Sequence, residues 1–284
     1  TILKRLGIET TVVPMGDYEA MEAAIIPKQT RVIVSESPTN PYLRIADLEK
    51  TVEIARRHRV LSVIDSTFAT PLNQRPADYG IDLVMHSGTK YYAGHSDLIC
   101  GIVAGRKSLL EKLWETRTVI GPIMDPHASW MLLRGIKTLA VRVQRQNENA
   151  LHVAQFLSEH PSVKNVYYPF LNGHPQRELA MEQLRGGGGV LSFEVHGTGK
   201  DACRVAEALR LFTLAPSLGG VESLVSIPAL TSHAMIPADH RHKMGVTEQM
   251  IRLSVGIESA EDLIADLKQA LEILKPASAH VRIG

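Results

Sequence analysis

Three stretches of the sequence gather groups able to do chemistry, each at the end of an apolar run. Arg31-Val-Ile-Val-Ser-Glu36 leads into Ser37-Pro-Thr-Asn40-Pro41, and Val60-Leu-Ser-Val-Ile-Asp65 into Ser66-Thr67. Ile81-Asp-Leu-Val-Met-His86 leads into Ser87-Gly-Thr89-Lys90. Short apolar runs with polar ends read as strands. In open α/β sheets, ligands bind at the carboxyl ends of the strands. A carboxylate, two hydroxyls and an amine are therefore expected to converge on one sheet edge. That set suits pyridoxal 5′-phosphate, whose aldehyde needs a lysine amine and whose ring nitrogen needs a carboxylate. Its phosphate needs hydroxyl and N–H donors. Lys90, Asp65, Ser87 and Thr89 are the candidates, with the Gly88 amide as a further donor. The same residues also read as a surface lysine, a turn aspartate and ordinary loop hydroxyls. Periodicity alone does not choose between the two.

The elements that must position these groups read as an α/β chain. A helix is expected over 47–59, with Asp47 as N-cap, Leu48, Val52 and Ala55 on one face, and Arg56, Arg57 and His58 at its C-terminal end. Strands separated by helices or long connections predict a mainly parallel sheet. A fourth strand over 98–103 follows a gap short enough to be an antiparallel neighbour. Asp125-Pro126 starts a helical pattern that runs to Glu159, with Gly135 as a possible break. This region bridges to a second unit, giving expected domains over 1–147 and 148–284. In the second unit strands are expected over 163–168, 189–195 and 251–256, and helices over 201–209 and 260–274. Ser259 with Asp262 three residues on has the spacing of a capping box. Gly186-Gly-Gly-Gly189 lacks the Lys-Ser/Thr of a phosphate loop and reads as a turn before a strand.

The formal net charge is +1, from 31 basic and 30 acidic residues, and Lys and Arg are scattered. This offers no field for nucleic acid or an anionic membrane surface. No apolar run approaches the roughly 20 residues of a membrane span. The two cysteines, Cys100 and Cys203, argue for a reducing cytoplasm over a disulfide scaffold. Cys100 reads as packing. Among 12 histidines the densest pair is His240-Arg-His242, without metal-site spacing, so no metal is expected. The opening segment 1–7 reads as a helix ending at Gly7, which suggests that the sequence begins within a fold.

Glu36-Ser-Pro-Thr-Asn-Pro41, Asp65-Ser-Thr-Phe-Ala-Thr-Pro71 and His86-Ser-Gly-Thr-Lys-Tyr-Tyr-Ala-Gly-His95 resemble the signature of the Cys/Met-metabolism pyridoxal-phosphate enzymes. The likeness extends through Arg134-Gly-Ile-Lys-Thr-Leu139, Ser217-Leu-Gly-Gly-Val-Glu-Ser223 and Ile251-Arg-Leu-Ser-Val-Gly-Ile-Glu258. It implies an aminotransferase-like fold of type I, with a large cofactor domain and a smaller α+β C-terminal domain. Lys90 is then the Schiff-base lysine and proton shuttle. Asp65 pairs with the pyridinium nitrogen, Ser87 and Thr89 hold the phosphate, and Asn40 lies near the phenolic oxygen. Arg252 grips the substrate α-carboxylate, helped by Ser217. The resemblance further implies a homotetramer acting on small amino-acid substrates. The Gly-rich phosphate loop, stacking aromatic and Tyr-x-Arg clamp of the family would lie upstream of Thr1.

Glu222 stands where cystathionine-handling members similarly carry Glu, able to meet a distal polar or ammonium group. Gly121-Pro-Ile-Met-Asp-Pro126 and Arg142-Val-Gln-Arg-Gln-Asn147 look closest to the plant-type γ-synthase. The resemblance thus implies γ-replacement on an activated homoserine by cysteine. Elimination from cystathionine or methionine is the alternative within the family. A non-catalytic homologue is the alternative outside it.

Overall fold

A computed structural model describes residues 2–274 of the chain. The first unit runs α1 (Ile2–Arg5), α2 (Tyr18–Ala23), β1 (Val32–Glu36), α3 (Leu48–His58), β2 (Leu61–Asp65), α4 (Thr70–Asn73) and α5 (Pro76–Tyr79). Then come β3 (Leu83–Ser87), β4 (Gly101–Gly105), α6 (Lys107–Ile120), α7 (Pro126–Ile136) and the long α8 (Leu139–Glu159). The second unit adds β5 (Val163–Tyr167), α9 (Arg177–Gln183), β6 (Val190–Val195), α10 (Gly199–Ala208), β7 (Thr213–Leu214) and β8 (Leu224–Ser226). It ends with α11 (Ala238–Lys243), β9 (Met250–Ser254) and α12 (Ala260–Leu271).

The first sheet has the order β1-β2-β3-β4. Its first three strands are parallel and β4 is antiparallel to β3. Cα partners are Glu36 with Asp65, Asp65 with Met85, and Ser87 with Gly101. Because side chains alternate faces along a strand, this register puts Glu36, Asp65 and Ser87 on one face at one end of the sheet. Helix α3 begins where Asp47 accepts from the Lys50 N–H at 3.0 Å. It ends at Arg59 in the left-handed conformation, with Leu48, Val52, Ile54 and Ala55 buried.

The second sheet has the order β5-β6-β9-β8-β7, antiparallel except for β7 beside β8. Val153 and Leu157 of α8, Val205 of α10, and Leu263 and Leu267 of α12 form one core with Leu191, Phe193, Ile251 and Leu253. The pleat turns Arg252 and Ser254 of β9 to the opposite face, and they are buried there too. This is how an arginine on a central strand reaches the first unit.

Several expectations shift in detail. The fourth strand lies at Gly101–Gly105 rather than over 98–103, because the Cys100 backbone is spent on Thr89. The helical run breaks at Lys137 and Thr138, two residues beyond Gly135. Residue 147 lies inside α8. Leu139 and Val143 of that helix pack with Phe68 and Tyr91, whereas its later turns pack on the second sheet. The reciprocal capping box is made by Thr198 and Asp201 at α10; Ser259 accepts from the Asp262 N–H at 3.2 Å. Helix α6 had no sequence expectation, and none of its residues is buried.

Candidate active site

Lys90 sits on a helix-like turn directly after β3. The turn is closed by Lys90 N–H to Ser87 O at 3.1 Å, Ala93 N–H to Gly88 O at 2.9 Å, and Gly94 N–H to Lys90 O at 2.8 Å. Gly88 suits the close packing there, since a Cβ would lie 2.4 Å from Cys100 Sγ and displace it. Lys90 Nζ donates to Ser217 Oγ at 2.6 Å. Burial, and then the nearby Arg252 guanidinium, pull the amine below the usual lysine range. That favours the neutral, nucleophilic form. Ser217 achieves this with φ of 93°, a left-handed backbone that strains a residue with a Cβ.

Arg252 is only 5% exposed. Its Nη1 donates to Asn40 Oδ1 and its Nη2 to Ser217 O, both at 3.1 Å. Among the described residues it has no carboxylate partner, and burial lowers its pKa. A buried cation without a counter-charge is costly, and an anionic ligand would supply one.

At the sheet edge, Asp65 Oδ1 accepts from the Thr67 N–H at 2.9 Å and from the Thr67 hydroxyl at 2.5 Å. The same hydroxyl accepts from the Ser87 N–H at 2.8 Å, so Thr67 locks the ends of β2 and β3 together. Asp65 Oδ2 and the Ser87 hydroxyl make no hydrogen bond among the described residues. Glu36 neighbours Asp65. It keeps contact with solvent yet is hemmed in by protein, and desolvation and the Asp65 charge push its carboxyl up to about 7. Thr67 and Glu36 lie in the stretches that the sequence marks, without a role assigned to them there. Thr67 could have been found as the hydroxyl two residues after a strand-end aspartate, an Asx-turn spacing.

These residues fit pyridoxal 5′-phosphate on their own chemistry. A lysine amine with a lowered pKa, a fixed carboxylate on the neighbouring strand and an uncompensated guanidinium are the three groups the cofactor–substrate pair requires. The family model for the Cys/Met metabolism PLP-dependent enzymes matches residues 1–272. The chain belongs to this family.

Cystathionine γ-lyase of Bacillus subtilis (strain 168) is 46% identical over 272 residues, covering 95% of this chain and 71% of the relative. Cystathionine β-lyase of Coxiella burnetii is 48% identical over 267 residues, covering 93% and 69%. The chloroplastic cystathionine γ-synthase 1 of Arabidopsis thaliana is 42% identical, covering 96% of this chain and 48% of that one. The crystal structure of cystathionine γ-lyase from Lactobacillus plantarum, complexed with L-serine, superposes with a TM-score of 0.92 at 42% identity. It covers 95% of this chain, which covers 71% of it. The protein is accordingly a pyridoxal-phosphate enzyme of sulfur amino-acid metabolism, with that family's mixed α/β fold.

Two expected residues stand differently from the others. The Thr89 hydroxyl accepts from the Cys100 N–H at 2.9 Å and lies 3.3 Å from Cys100 O. To meet a phosphate it must turn its proton away from that long contact. Glu222 accepts from the Ser96 hydroxyl, in the loop after Lys90. Loop 217–223 is held there by Val221 N–H to Gly94 O at 3.0 Å. Among the described residues no three His, Cys, Asp or Glu side chains gather as metal ligands. The His242 side chain lies outside the described residues.

Proposed function

We propose that the protein breaks the C–S bond of cystathionine or a closely related thioether amino acid. The observation that carries this reading is Arg252, a buried guanidinium without a carboxylate, beside the Lys90–Ser217 pair. Bound pyridoxal phosphate supplies an electron sink for negative charge at the substrate Cα. Lys90 would hold the cofactor through Nζ, and its amine is the group placed to take the Cα proton. Ser217 Oγ keeps that amine in place. Arg252 takes the α-carboxylate as a fork, its plane set by Asn40 and Ser217 O. Asp65 would pair with the ring nitrogen through Oδ2, Thr67 fixing Oδ1. Ser87 and Thr89 would hold the phosphate, and Asn40 would serve the phenolic oxygen. Glu222, steadied by Ser96, faces the distal polar end of the substrate.

Elimination is preferred because the relatives at 46% and 48% identity are both lyases, although the Lactobacillus plantarum lyase and the Arabidopsis synthase stand equal at 42%. The γ-replacement reading rests on the segments 121–126 and 142–147, which resemble the plant-type synthase. The protein with cofactor is to be given cystathionine in one reaction, and an activated homoserine ester plus cysteine in another. A 2-oxo acid, ammonia and a thiol from the first support elimination. Cystathionine accumulating from the second, with the first inert, overturns it in favour of synthesis.

The working form is proposed to be a homo-oligomer. Helices α6 and α7 carry Trp114, Val119, Ile120, Trp130 and Leu133 exposed in the single chain, Val119 at 86%. Successive apolar faces of this kind mark an interface with another copy. No helix among the described residues is long and apolar enough to cross a membrane. The cysteines Cys100 and Cys203 are free, which suits a reducing, cytoplasmic setting.

A further inference from the structure

Against the backbone of the Lys90 turn lies a second buried guanidinium. Arg142, on the first turn of α8, is 3% exposed. Its Nη1 donates to Tyr91 O at 2.8 Å and its Nη2 to Gly135 O at 2.8 Å. Nη2 also lies 3.5 Å from Tyr92 O, and Nε donates to Thr138 Oγ1 at 3.0 Å. Burial lowers its pKa, and among the described residues no carboxylate pairs with it. Its partners are carbonyls of the turn carrying Lys90 and of the C-terminal end of α7, where Gly135 O also accepts from the Thr138 N–H at 3.2 Å. Carbonyls at a helix C-terminus carry partial negative charge, which favours a cation there.

The surrounding backbone is shaped for this side chain. A Cβ on Gly94 would lie 2.1 Å from Arg142 Nη1, and Gly94 has φ of +74°. A Cβ on Gly135 would lie 2.4 Å from Ala93 O. Both glycines let the Lys90 turn, the end of α7 and the guanidinium come together. The fork therefore clamps the carbonyl of the residue next to Lys90 to two rigid helices.

We infer that Arg142 is a positioning residue for Lys90, fixing the turn from which the amine meets the cofactor aldehyde. The inference rests on the reading of Lys90 as the covalent lysine. It assigns Arg142 no contact with cofactor or substrate. Its effect should fall on covalent attachment and not on the non-covalent grip on the phosphate.

Arg142→Lys keeps the charge but removes the fork. Thr138→Val removes one acceptor and leaves the guanidinium. Each variant is stripped of cofactor and mixed with pyridoxal phosphate, and the rate of covalent attachment is followed by absorbance. Binding of pyridoxine phosphate, which has no aldehyde, is measured beside it. The expected result is attachment slowed about tenfold or more in Arg142→Lys, and less in Thr138→Val, with pyridoxine phosphate binding unchanged. Unchanged attachment in both variants overturns the inference, as does equal loss for both ligands, which is what general loosening would give. If Arg142→Lys fails to fold, Thr138→Val decides by the same comparison. A wild-type protein that binds both ligands and attaches neither contradicts the Lys90 reading itself.

Discussion

At the scale of single residues, the site is built around cations held in low-dielectric surroundings. Lys90 is lowered first by burial and second by Arg252. The fraction of neutral amine therefore rises at a lower pH than for a free lysine, and covalent attachment should have its alkaline plateau begin correspondingly early. Replacing Arg252 with Met removes the second cause and leaves the first. The midpoint of the attachment-rate profile should then move to higher pH, toward the ordinary lysine value. An unmoved midpoint would show that Arg252 does not act on the amine. Ser217 makes a separate test possible. Its left-handed backbone costs on the order of 1 to 3 kcal/mol, which glycine does not suffer. Ser217→Gly should unfold at a higher temperature than Ser217→Ala while turnover falls in both. Equal melting temperatures would mean that the φ of 93° carries no strain.

At the scale of elements, the second unit is tied together by Asp266 of α12. Its carboxylate accepts from the N–H groups of Arg210, at 2.9 and 3.0 Å, and of Leu211, at 2.7 Å, in the segment leading to β7. The group is buried, so Asp266→Ala leaves donors unsatisfied, at a cost of about 2 to 3 kcal/mol. Thermal denaturation should show a fall of about 5 °C or more, with cofactor attachment at Lys90 unaffected in the folded protein.

Much of the arrangement was legible in the sequence where local rules agree with the fold. Apolar runs ending in Glu36, Asp65 and His86 form parallel strands, and the short gap before the fourth strand leads to an antiparallel neighbour. Asp47 and Asp125 cap helices as their types predict, Asp125 accepting from the His127 N–H at 2.8 Å. What could not be read is long-range. Arg142 is a lysine-like surface residue by composition, and only the meeting of α7, α8 and the 88–94 turn buries it. The tie between the Thr89 hydroxyl and Cys100, 11 residues away, is likewise invisible to local pattern. Helix α6 has apolar residues but buries none of them within the chain, so it has no core-facing pattern to detect.

At the scale of the whole molecule, two sheets meet at the site. Arg252 and Ser217 come from the second unit, Lys90, Asp65 and Asn40 from the first, and α8 packs against both. The exposed apolar residues of α6 and α7 lie outside that arrangement. A double change of Val119 and Trp130 to glutamate should disperse the assembly, read by sedimentation, while the secondary structure seen by circular dichroism persists. Wild-type protein sedimenting as a monomer would contradict the interface.

The central claim is that Lys90 carries the cofactor, and borohydride reduction followed by peptide mass mapping tests it most directly. Protein saturated with pyridoxal phosphate and reduced should carry one pyridoxyl group, on the peptide containing Lys90, and Lys90→Ala should carry none. A group found on another lysine, or equal labelling in Lys90→Ala, would contradict the account.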